Sequence, residues 1–223
     1  MKGFTQIFKI LFTLYSSYWV FLFAIALPAN SQNTDEIKGI AIGNQIWSSK
    51  NLAVTNFKNG DPISQAKTRE DWIQAGKDCT PAWSFYENQP DIAKKSGVLY
   101  NWYAVTDPRG LAPEGWRIPT KEDFSELQRF LGGKDVAGKK IKATSFWFRN
   151  GHGDNSSGFN GIGGGNRDFE GYFFYIGRVA CWWTTTAYDT YNAWYFFTDY
   201  GSDAFKEYGG GKIMGMSVRS IKE

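Results

Sequence analysis

The residues that could carry out catalysis are few and widely spaced. His152 is the only histidine, and a Ser-His-Asp hydrolase would have to use it as the general base. The sequence contains no Gly-x-Ser-x-Gly motif, which is the usual setting of such a nucleophile. We therefore interpret His152 as a solvated loop residue and predict no catalytic residues.

Two further segments have the composition of ligand sites but lack the partners that such sites need. Asp154-Asn155-Ser156 offers oxygen atoms suited to calcium, yet such triplets are commoner as turns. The glycine-rich run at 161–165 follows no clear strand and lacks the Lys-Ser/Thr pair of a phosphate-binding loop. We predict neither a metal site nor a cofactor.

Cys79 and Cys181 are the only cysteines, and two interpretations of them remain open. A disulfide between them would suit an exported protein. Alternatively they are separate thiols, with Cys181 packed as a small apolar residue in an aromatic strand. The sequence does not decide between these because a bridge requires a specific Cα geometry.

Aromatic residues are unusually abundant, at 18% of the chain, and 25 glycines accompany them. Three runs place aromatic residues side by side: 172–175, Trp182-Trp183 and 194–197. Neighbouring residues of a strand point to opposite faces, so one buried face cannot hold both. Either loops cover the second face, or some rings contact solvent or a ligand. Exposed Trp and Tyr are suited to sugar rings and to protein interfaces.

The N-terminal segment has the pattern of a secretory signal peptide. Lys2 and Lys9 accompany an apolar run over residues 10–27, and the small residues Ala29 and Ser31 mark a cleavage site. We expect cleavage after Ser31, which places the protein outside the cytoplasm. An uncleaved membrane anchor is the alternative, because the apolar run approaches the length of a bilayer span.

Cleavage would leave 192 of the 223 residues and lower the formal net charge from +3 to +1. This near-neutral balance gives no reason to expect nucleic acid or an anionic membrane surface as a partner. We predict a signal peptide over 1–31, a disordered lead-in over 32–36 and one domain over 37–223, which is a comfortable length for a single core.

The clearest predicted element is a helix from Thr120 to Leu131. Thr120 is a suitable N-cap, Asp123 stands where a capping box needs an acceptor, and Gly132-Gly133 ends the helix. A second segment, 63–75, is compatible with a helix. After the first helix, residues 150–168 form a long irregular region.

The remaining pattern indicates short strands joined by turns. Gly43-Asn44 predicts a hairpin within 37–52, and Asn59-Gly60-Asp61-Pro62 predicts a turn. We expect late antiparallel strands at Ala180–Thr186, Ala193–Asp199 and Met216–Ile221.

Several blocks of the chain, in the same order, resemble the Fibrobacter succinogenes major paralogous domain. They are Ile42–Trp47 with Lys50–Leu52, Gly97–Val105 with Asp107–Thr120, Ser157–Phe159, Cys181–Thr185 with Ala193-Trp194, and Ser217–Arg219. This resemblance implies an α+β, C-type-lectin-like fold with small antiparallel sheets, two helices and long irregular loops, in a bacterial extracytoplasmic protein. It implies no reaction. The sequence departs from the family pattern at Cys181 and in a polar insert at Thr68–Asp78.

The residues fit neither of two activities found in lectin-like folds. Formylglycine-generating enzymes use closely spaced reactive cysteines, and Cys181 has no such neighbour. Gln89-Pro90-Asp91 copies a sugar motif of calcium-dependent lectins, but Tyr100-Asn101-Trp102 lacks the carboxylate that the downstream block supplies. We interpret the tripeptide as a coincidence in a loop.

We therefore expect an exported, non-enzymatic binding module, either secreted, periplasmic or on the cell surface. Its expected partner is a glycan or a protein of the cell envelope or exterior; a structural protein of surface assembly is the alternative. We expect the loops between Tyr172 and Gly210 to contact the ligand. The predicted patch consists of Tyr191, Tyr200, Phe205 and Tyr208, all exposed, with Asp199 and Asp203 at its rim.

Overall fold

A computed structural model describes residues 37–151 and 153–223 of the chain. The predicted signal peptide, the lead-in and His152 lie outside these residues. All described residues belong to one compact unit. None of their helices is long and apolar enough to cross a membrane.

The described residues form a mixed α+β fold with several small sheets and few helices. The strands are β1 (Gly39–Ile42), β2 (Gln45–Ser48), β3 (Ser64–Gln65), β4 (Ala82–Ser84), β5 (Leu99–Tyr100), β6 (Trp116–Arg117), β7 (Asn166–Arg167), β8 (Phe173–Phe174), β9 (Val179–Ala187), β10 (Asn192–Asp199), β11 (Lys206–Gly211) and β12 (Ile221–Lys222). The helices are α1 (Arg69–Lys77), α2 (Pro90–Ser96), α3 (Trp102–Val105), α4 (Lys121–Phe130) and α5 (Ala137–Ile141), with short 3-10 turns at Tyr86–Asn88 and Phe148–Asn150. The sheet orders are β1-β2-β12-β6, β11-β10-β9, β3-β4-β5 and β7-β8.

Helix α4 forms because its first turn is capped on both sides, as the sequence predicts. The Thr120 hydroxyl accepts a hydrogen bond from the backbone N–H of Asp123, and the Asp123 carboxylate accepts one from the N–H of Thr120. Gly132, with φ of +102°, follows the helix. The helix buries Phe124 and Leu127 against the sheet, and the Phe124 ring stacks 5.0 Å from that of Phe196.

Strand β9 of the antiparallel sheet β9-β10-β11 is buried on both faces at its adjacent aromatic residues, Trp182 and Trp183. Trp182 packs in one apolar cluster with Phe124 and Phe159. Trp183, its neighbour, packs in a second cluster on the other face, with Tyr100 and Val218. Both tryptophan side chains are fully buried. Helix α4 covers the first face, and α3 with strands β4 and β5 and irregular chain covers the other.

The predicted hairpin is confirmed as β1-β2, with Gly43 at φ +61° in its turn. The predicted strand Met216–Ile221 is wrong over most of its length, because this segment runs between two sheets. The backbone of Ser217 bonds to β9, the carbonyl of Val218 accepts from the N–H of Leu52, and only Ile221 begins a strand, β12. Its alternating apolar pattern reflects burial between layers.

The polar insert Thr68–Asp78 is a complete helix. Thr68 and Asp71 form a capping box at the start of α1, and Asp78 is its C-cap. The helix predicted for 63–75 therefore begins later than expected, since Ser64–Gln65 pairs with β4 as strand β3. Trp72 is the buried anchor of α1.

Candidate functional site

A first cleft, of about 350 Å³, lies between the start of α1, the 3-10 turn Tyr86–Asn88 and the β7-β8 ribbon. Its lining residues are Lys67, Arg69, Glu87, Asn88, Arg167, Gly171, Tyr172, Phe173 and Phe174. The volume is at the lower end of the range for small-molecule sites. Aromatic rings and cationic side chains line the cleft together, with Glu87 as its acidic residue, so it suits a ligand with an apolar face and polar groups at its edge.

Arg167 holds the segments around the first cleft together from beneath. Its buried guanidinium donates hydrogen bonds to the carbonyl oxygens of Ala66 (2.8 Å), Thr68 (2.7 Å) and Gly171 (3.1 Å). It also lies 4.6 Å from the ring centroids of Trp72 and Phe173. Burial lowers the pKa of Arg167 to about 10, so the group remains charged at neutral pH.

The turn between β7 and β8 is fixed by Asp168 and Gly171. The Asp168 carboxylate accepts hydrogen bonds from the backbone N–H groups of Glu170 (2.9 Å) and Tyr172 (2.8 Å). Gly171 has φ of +83°, and a Cβ there would stand 3.0 Å from the Cα of Arg69. This close approach packs the turn against α1. It places the Tyr172 ring next to the Arg69 guanidinium, whose Cζ lies 3.6 Å from the ring centroid.

A second cleft, of about 310 Å³, lies beside the segment that follows β8. It is lined by Phe146, Trp147, Phe148, Ile176 and Gly177. The backbone N–H of Phe148 donates to the carbonyl of Gly177 at 2.6 Å, and this bond joins the two loops that form the cleft. Trp147 is buried at its base.

Bulky residues adopt a left-handed backbone conformation at both rims of the second cleft. Phe146 has φ of +67° and Tyr175 has φ of +68°. Side chains with a bulky Cβ substituent rarely adopt this region, and such strain concentrates at functional sites. Here it presents the Tyr175 ring to solvent, at 55% exposure.

Exposed rings therefore connect the two clefts. Phe174 and Tyr175 lie between them with their ring centroids 5.7 Å apart. We call the set Phe146, Phe148, Tyr172, Phe174 and Tyr175 the aromatic surface. Four of the five rings are exposed and Phe146 is partly so.

Cations surround the aromatic surface. The guanidinium groups of Arg178 and Arg149 lie 4.2 and 5.2 Å from the Phe148 ring, and the Lys95 ammonium lies 6.0 Å from Phe146. None of these three forms an ion pair with another described residue. A negatively charged ligand would therefore meet uncompensated positive charge at the second cleft.

The patch predicted from the sequence is not one surface, because its members lie at opposite ends of β10. Tyr191 precedes this eight-residue strand, whereas Tyr200 and Asp203 follow it. At a rise of about 3.3 Å per residue, the two ends are roughly 25 Å apart. Tyr191 is 80% exposed, and Tyr208 lies on β11 opposite Tyr195.

The predicted exposure of Phe205 is wrong. Phe205 is fully buried among Phe124, Trp182 and Phe196, with which it forms ring contacts at 5.1 to 6.0 Å. The β10-β11 loop folds back onto the core because a buried Lys142 ammonium binds two carbonyls of that loop, those of Asp199 and Ser202. The composition of this loop does not predict its hydrogen bonds to Lys142, which lies about 60 positions earlier in the chain.

Tyr200 is the predicted residue that comes near the candidate site. Its ring makes an edge contact with Phe148 at 5.2 Å. The side chains of Asp199 and Asp203 lie on the same loop, and the Asp199 carboxylate accepts from the N–H of Gly201. The ligand-binding roles of Tyr191, Asp199, Tyr200, Asp203 and Tyr208 stay predictions.

The disulfide interpretation is wrong, because both cysteines are free. Cys79 is exposed, and its thiol lies 3.4 Å from the Tyr103 hydroxyl. Cys181 is buried in the core, and burial raises the pKa of its thiol to about 12. The interpretation of Gln89-Pro90-Asp91 as a loop is also corrected: Gln89 caps α2, and Asp91 pairs with Lys94.

Sequence reasoning missed Lys67, Arg69 and Phe146 as candidate site residues. Two signals were visible, the aromatic run 172–175 and the polar insert that becomes α1. Neither signal shows which loops meet, and the first cleft exists only because Arg167 and Gly171 bring α1 against the β7-β8 turn.

Among the described residues, no group of three or more His, Cys, Asp and Glu side chains is placed to hold a metal ion. The absence of a metal site and of a cofactor stays a prediction.

A family model described as the Fibrobacter succinogenes major domain matches residues 40–222. This span includes every residue that lines the two clefts. No curated protein and no solved structure matches the chain.

Proposed function

Because the chain belongs to the Fibrobacter succinogenes major domain family, we propose that it is an exported, non-enzymatic module that binds a glycan through the aromatic surface and its two clefts. The single observation that carries this proposal is the pair of clefts, about 350 and 310 Å³, on either side of exposed aromatic rings. Concave sites of this size hold small ring-shaped units, whereas a protein partner needs a larger and flatter surface.

The rings are accessible, as sugar binding needs. Tyr172 and Phe174 are about two-fifths exposed and Tyr175 more than half, so each offers a ring face or edge to a ligand. Asp168, Gly171 and Arg167 fix the backbone of this loop, so the rings are ordered before the ligand arrives. Such preorganisation lowers the entropy cost of binding.

The proposal also includes the fold of the domain and the location of the protein. We assign the domain a C-type-lectin-like architecture, supported by small antiparallel sheets, a main helix α4 packed on the β9-β10 face and a long irregular segment between α5 and β9. Export to the periplasm or cell surface is supported by the signal-like sequence of residues 1–31.

The absence of catalysis is supported by the state of the candidate nucleophiles. Cys181 is buried with a raised pKa, so at neutral pH it is a neutral thiol and a poor nucleophile. Exposed Cys79 has Tyr103 beside it rather than a base. Neither residue lines a cleft.

The test is a glycan array probed with the purified exported protein and two alanine variants. Phe174→Ala removes an exposed ring between the clefts, and Tyr191→Ala removes the more exposed ring at the far end of β10. We expect the wild type and Tyr191→Ala to bind the same glycans, while Phe174→Ala loses at least about 1 kcal/mol of binding free energy.

Thermal melts of both variants provide the control, since truncating exposed rings should leave stability within about 0.5 kcal/mol. Loss of binding in Tyr191→Ala alone would move the site to the β9-β10 turn. Capture of an envelope protein by a wild type that binds no glycan would support the protein-binding alternative instead.

A further inference from the structure

An arginine guanidinium lies over an aromatic ring at each cleft: Arg69 lines the first cleft, and Arg178 lies over Phe148, which lines the second. Arg69 lies 3.6 Å from the centroid of Tyr172, and Arg178 lies 4.2 Å from that of Phe148. Stacking of this kind uses the face of the guanidinium and leaves its N–H edge available to another partner.

Little else in the described residues uses these edges. The Arg69 Nε donates to the carbonyl of Glu170 at 3.0 Å, but its two terminal nitrogens make no hydrogen bond there. The Arg178 guanidinium makes no hydrogen bond to a described residue, and neither arginine forms an ion pair with one. A planar guanidinium with two free N–H groups matches the geometry of a carboxylate.

The two clefts are close enough for one ligand. Phe174 lines the first and Ile176 the second, and only Tyr175 separates them along the chain. Two residue steps span at most about 7 Å. An extended ligand that crosses the Phe174 and Tyr175 rings would therefore contact residues of both clefts.

The charged side chains at the clefts also favour an acidic ligand over a neutral one. Besides the two arginines, Lys67 and Arg167 line the first cleft, where Glu87 is the one acidic residue of the lining, and Lys95 and Arg149 flank the second. The hydroxyl groups of a neutral sugar would accept hydrogen bonds from these cations, but they carry no charge to balance them. A carboxylate would pair with them.

Resting on the glycan-binding function above, we propose that the ligand is an acidic oligosaccharide whose carboxylate-bearing units occupy both clefts at once. Its rings lie on the aromatic surface, one carboxylate pairs with Arg69 and another pairs with Arg178. Binding by both arginines requires a chain of several units.

The experiment is calorimetric titration of the full exported protein with oligogalacturonates of increasing length and with their methyl-esterified counterparts. We expect affinity to rise about tenfold or more once the chain reaches both clefts, and to fall by a similar factor on esterification. Raising the salt from about 0.05 M to about 0.5 M should weaken the acidic ligand far more than the ester.

Three variants divide the site. Arg178→Ala should abolish the gain from chain length, so that long and short oligomers bind alike, whereas Arg69→Ala should weaken even the short ones. Arg129→Ala, which removes an exposed arginine of α4, is the matched control and should bind as the wild type does. Arg69→Gln and Arg178→Gln keep the length of the side chain and remain available if an alanine variant folds poorly.

The outcomes distinguish failure of the acidic-ligand proposal from failure of the glycan-binding proposal on which it rests. Equal binding of acidic and neutral glycans, or a length effect that survives in a folded Arg178 variant, would overturn the acidic two-cleft ligand and leave glycan binding intact. Preference for sulfated over carboxylated chains would also overturn the carboxylate assignment. A folded wild type that binds no glycan at all would overturn both proposals.

Discussion

Buried cations that bind carbonyl oxygens are a recurring feature at the scale of single residues. Lys142, Arg167 and Arg219 are each almost fully buried, and their donors reach backbone carbonyls, joined at Arg219 by the side-chain oxygen of Asn51. Irregular chain leaves many carbonyl groups without a partner in a sheet or helix, and each must be satisfied when buried. A guanidinium has five N–H donors and can bind several of them at once.

Arg167→Lys tests this role at the candidate site. Lysine keeps the charge but cannot bind three separated carbonyls with the same geometry, so we expect a loss of about 2–4 kcal/mol in the free energy of unfolding. Urea unfolding followed by tryptophan fluorescence measures it. Arg129→Lys, on the surface of α4, should change stability by less than about 0.5 kcal/mol. Equal stability of the two variants would refute the structural role of Arg167.

The two cysteines should differ sharply in reactivity. Cys79 is exposed, whereas Cys181 is buried with its pKa raised to about 12. A maleimide should therefore modify one thiol in the native protein and a second only after unfolding, with Cys79→Ser removing the first reaction. Recovery of no free thiol from unfolded, unreduced protein would show that a disulfide forms after all.

At the scale of elements, local patterns predicted local structure and failed where distant segments meet. The capping residues of α4 and the Gly43 turn of β1-β2 were readable because each depends on neighbours within a few residues. Segment 216–221 looked like a strand, but it passes between two sheets and bonds to both. The burial of Phe205 likewise depends on Lys142, which is far from it in sequence.

The candidate site shows the same limit. The aromatic run 172–175 and the insert at Thr68–Asp78 were both noticeable in the sequence, and each forms part of the first cleft. Their meeting depends on Gly171 and Arg167, whose partners lie about a hundred positions earlier in the chain. Composition alone instead favoured a patch of Tyr191, Tyr200 and Tyr208, which the structure spreads along the length of the β9-β10-β11 sheet.

Asp123→Asn tests the capping box of α4 through its pH dependence. Burial alone would raise the pKa of the Asp123 carboxyl, but the Arg117 guanidinium, at 2.6 and 2.8 Å, and the Thr120 N–H together hold it below its ordinary value of 3.8. A lowered pKa stabilises the fold at pH values above 3.8, and this contribution is lost as the pH falls through the folded-state pKa.

We therefore expect Asp123→Asn to unfold more easily than the wild type by about 1–2 kcal/mol at pH 7, with the difference shrinking below about pH 4. Chemical unfolding of both proteins at pH 7 and near pH 3 measures the two differences. A penalty that stays constant across this range would show that the charge of Asp123 contributes nothing.

Gly171→Ala tests the contact that seats the β7-β8 turn on α1. Alanine there would combine an unfavourable φ of +83° with a Cβ only 3.0 Å from the Cα of Arg69. Gly115 also has a positive φ, +74°, but nothing lies within 4 Å of the added Cβ, so Gly115→Ala isolates the backbone cost. We expect about 1 kcal/mol of destabilisation at Gly115 and about 1–2 kcal/mol more at Gly171.

The two variants should also differ in their affinity for the ligand. Gly171→Ala should shift Tyr172 relative to Arg69 and weaken binding, while Gly115→Ala, which lies away from both clefts, should not. Equal stability and equal affinity of the two variants would mean that the close approach of the turn to α1 is unimportant.

At the scale of the whole molecule, one group of exposed aromatic rings lies at the clefts, and a second, Tyr188, Tyr191 and Tyr208, lies at the β9-β10 turn and on β11. Phe148, Tyr172, Phe174 and Tyr175 surround the clefts, while both faces of the main sheet hold most of the other rings in two cores. Exposed rings gathered in this way commonly mark interaction sites. A surface-assembly protein would use the same rings to contact a second copy of itself.

The most direct test of the glycan-binding site is a map of backbone amide shifts by NMR during titration of the exported protein with an oligosaccharide identified on the array. We predict that the perturbed amides cluster in residues 67–69, 146–148 and 171–177, and that dilution of the protein without ligand leaves them unchanged. Perturbations confined to residues 189–191 and 206–209, or shifts that depend on protein concentration alone, would contradict the account.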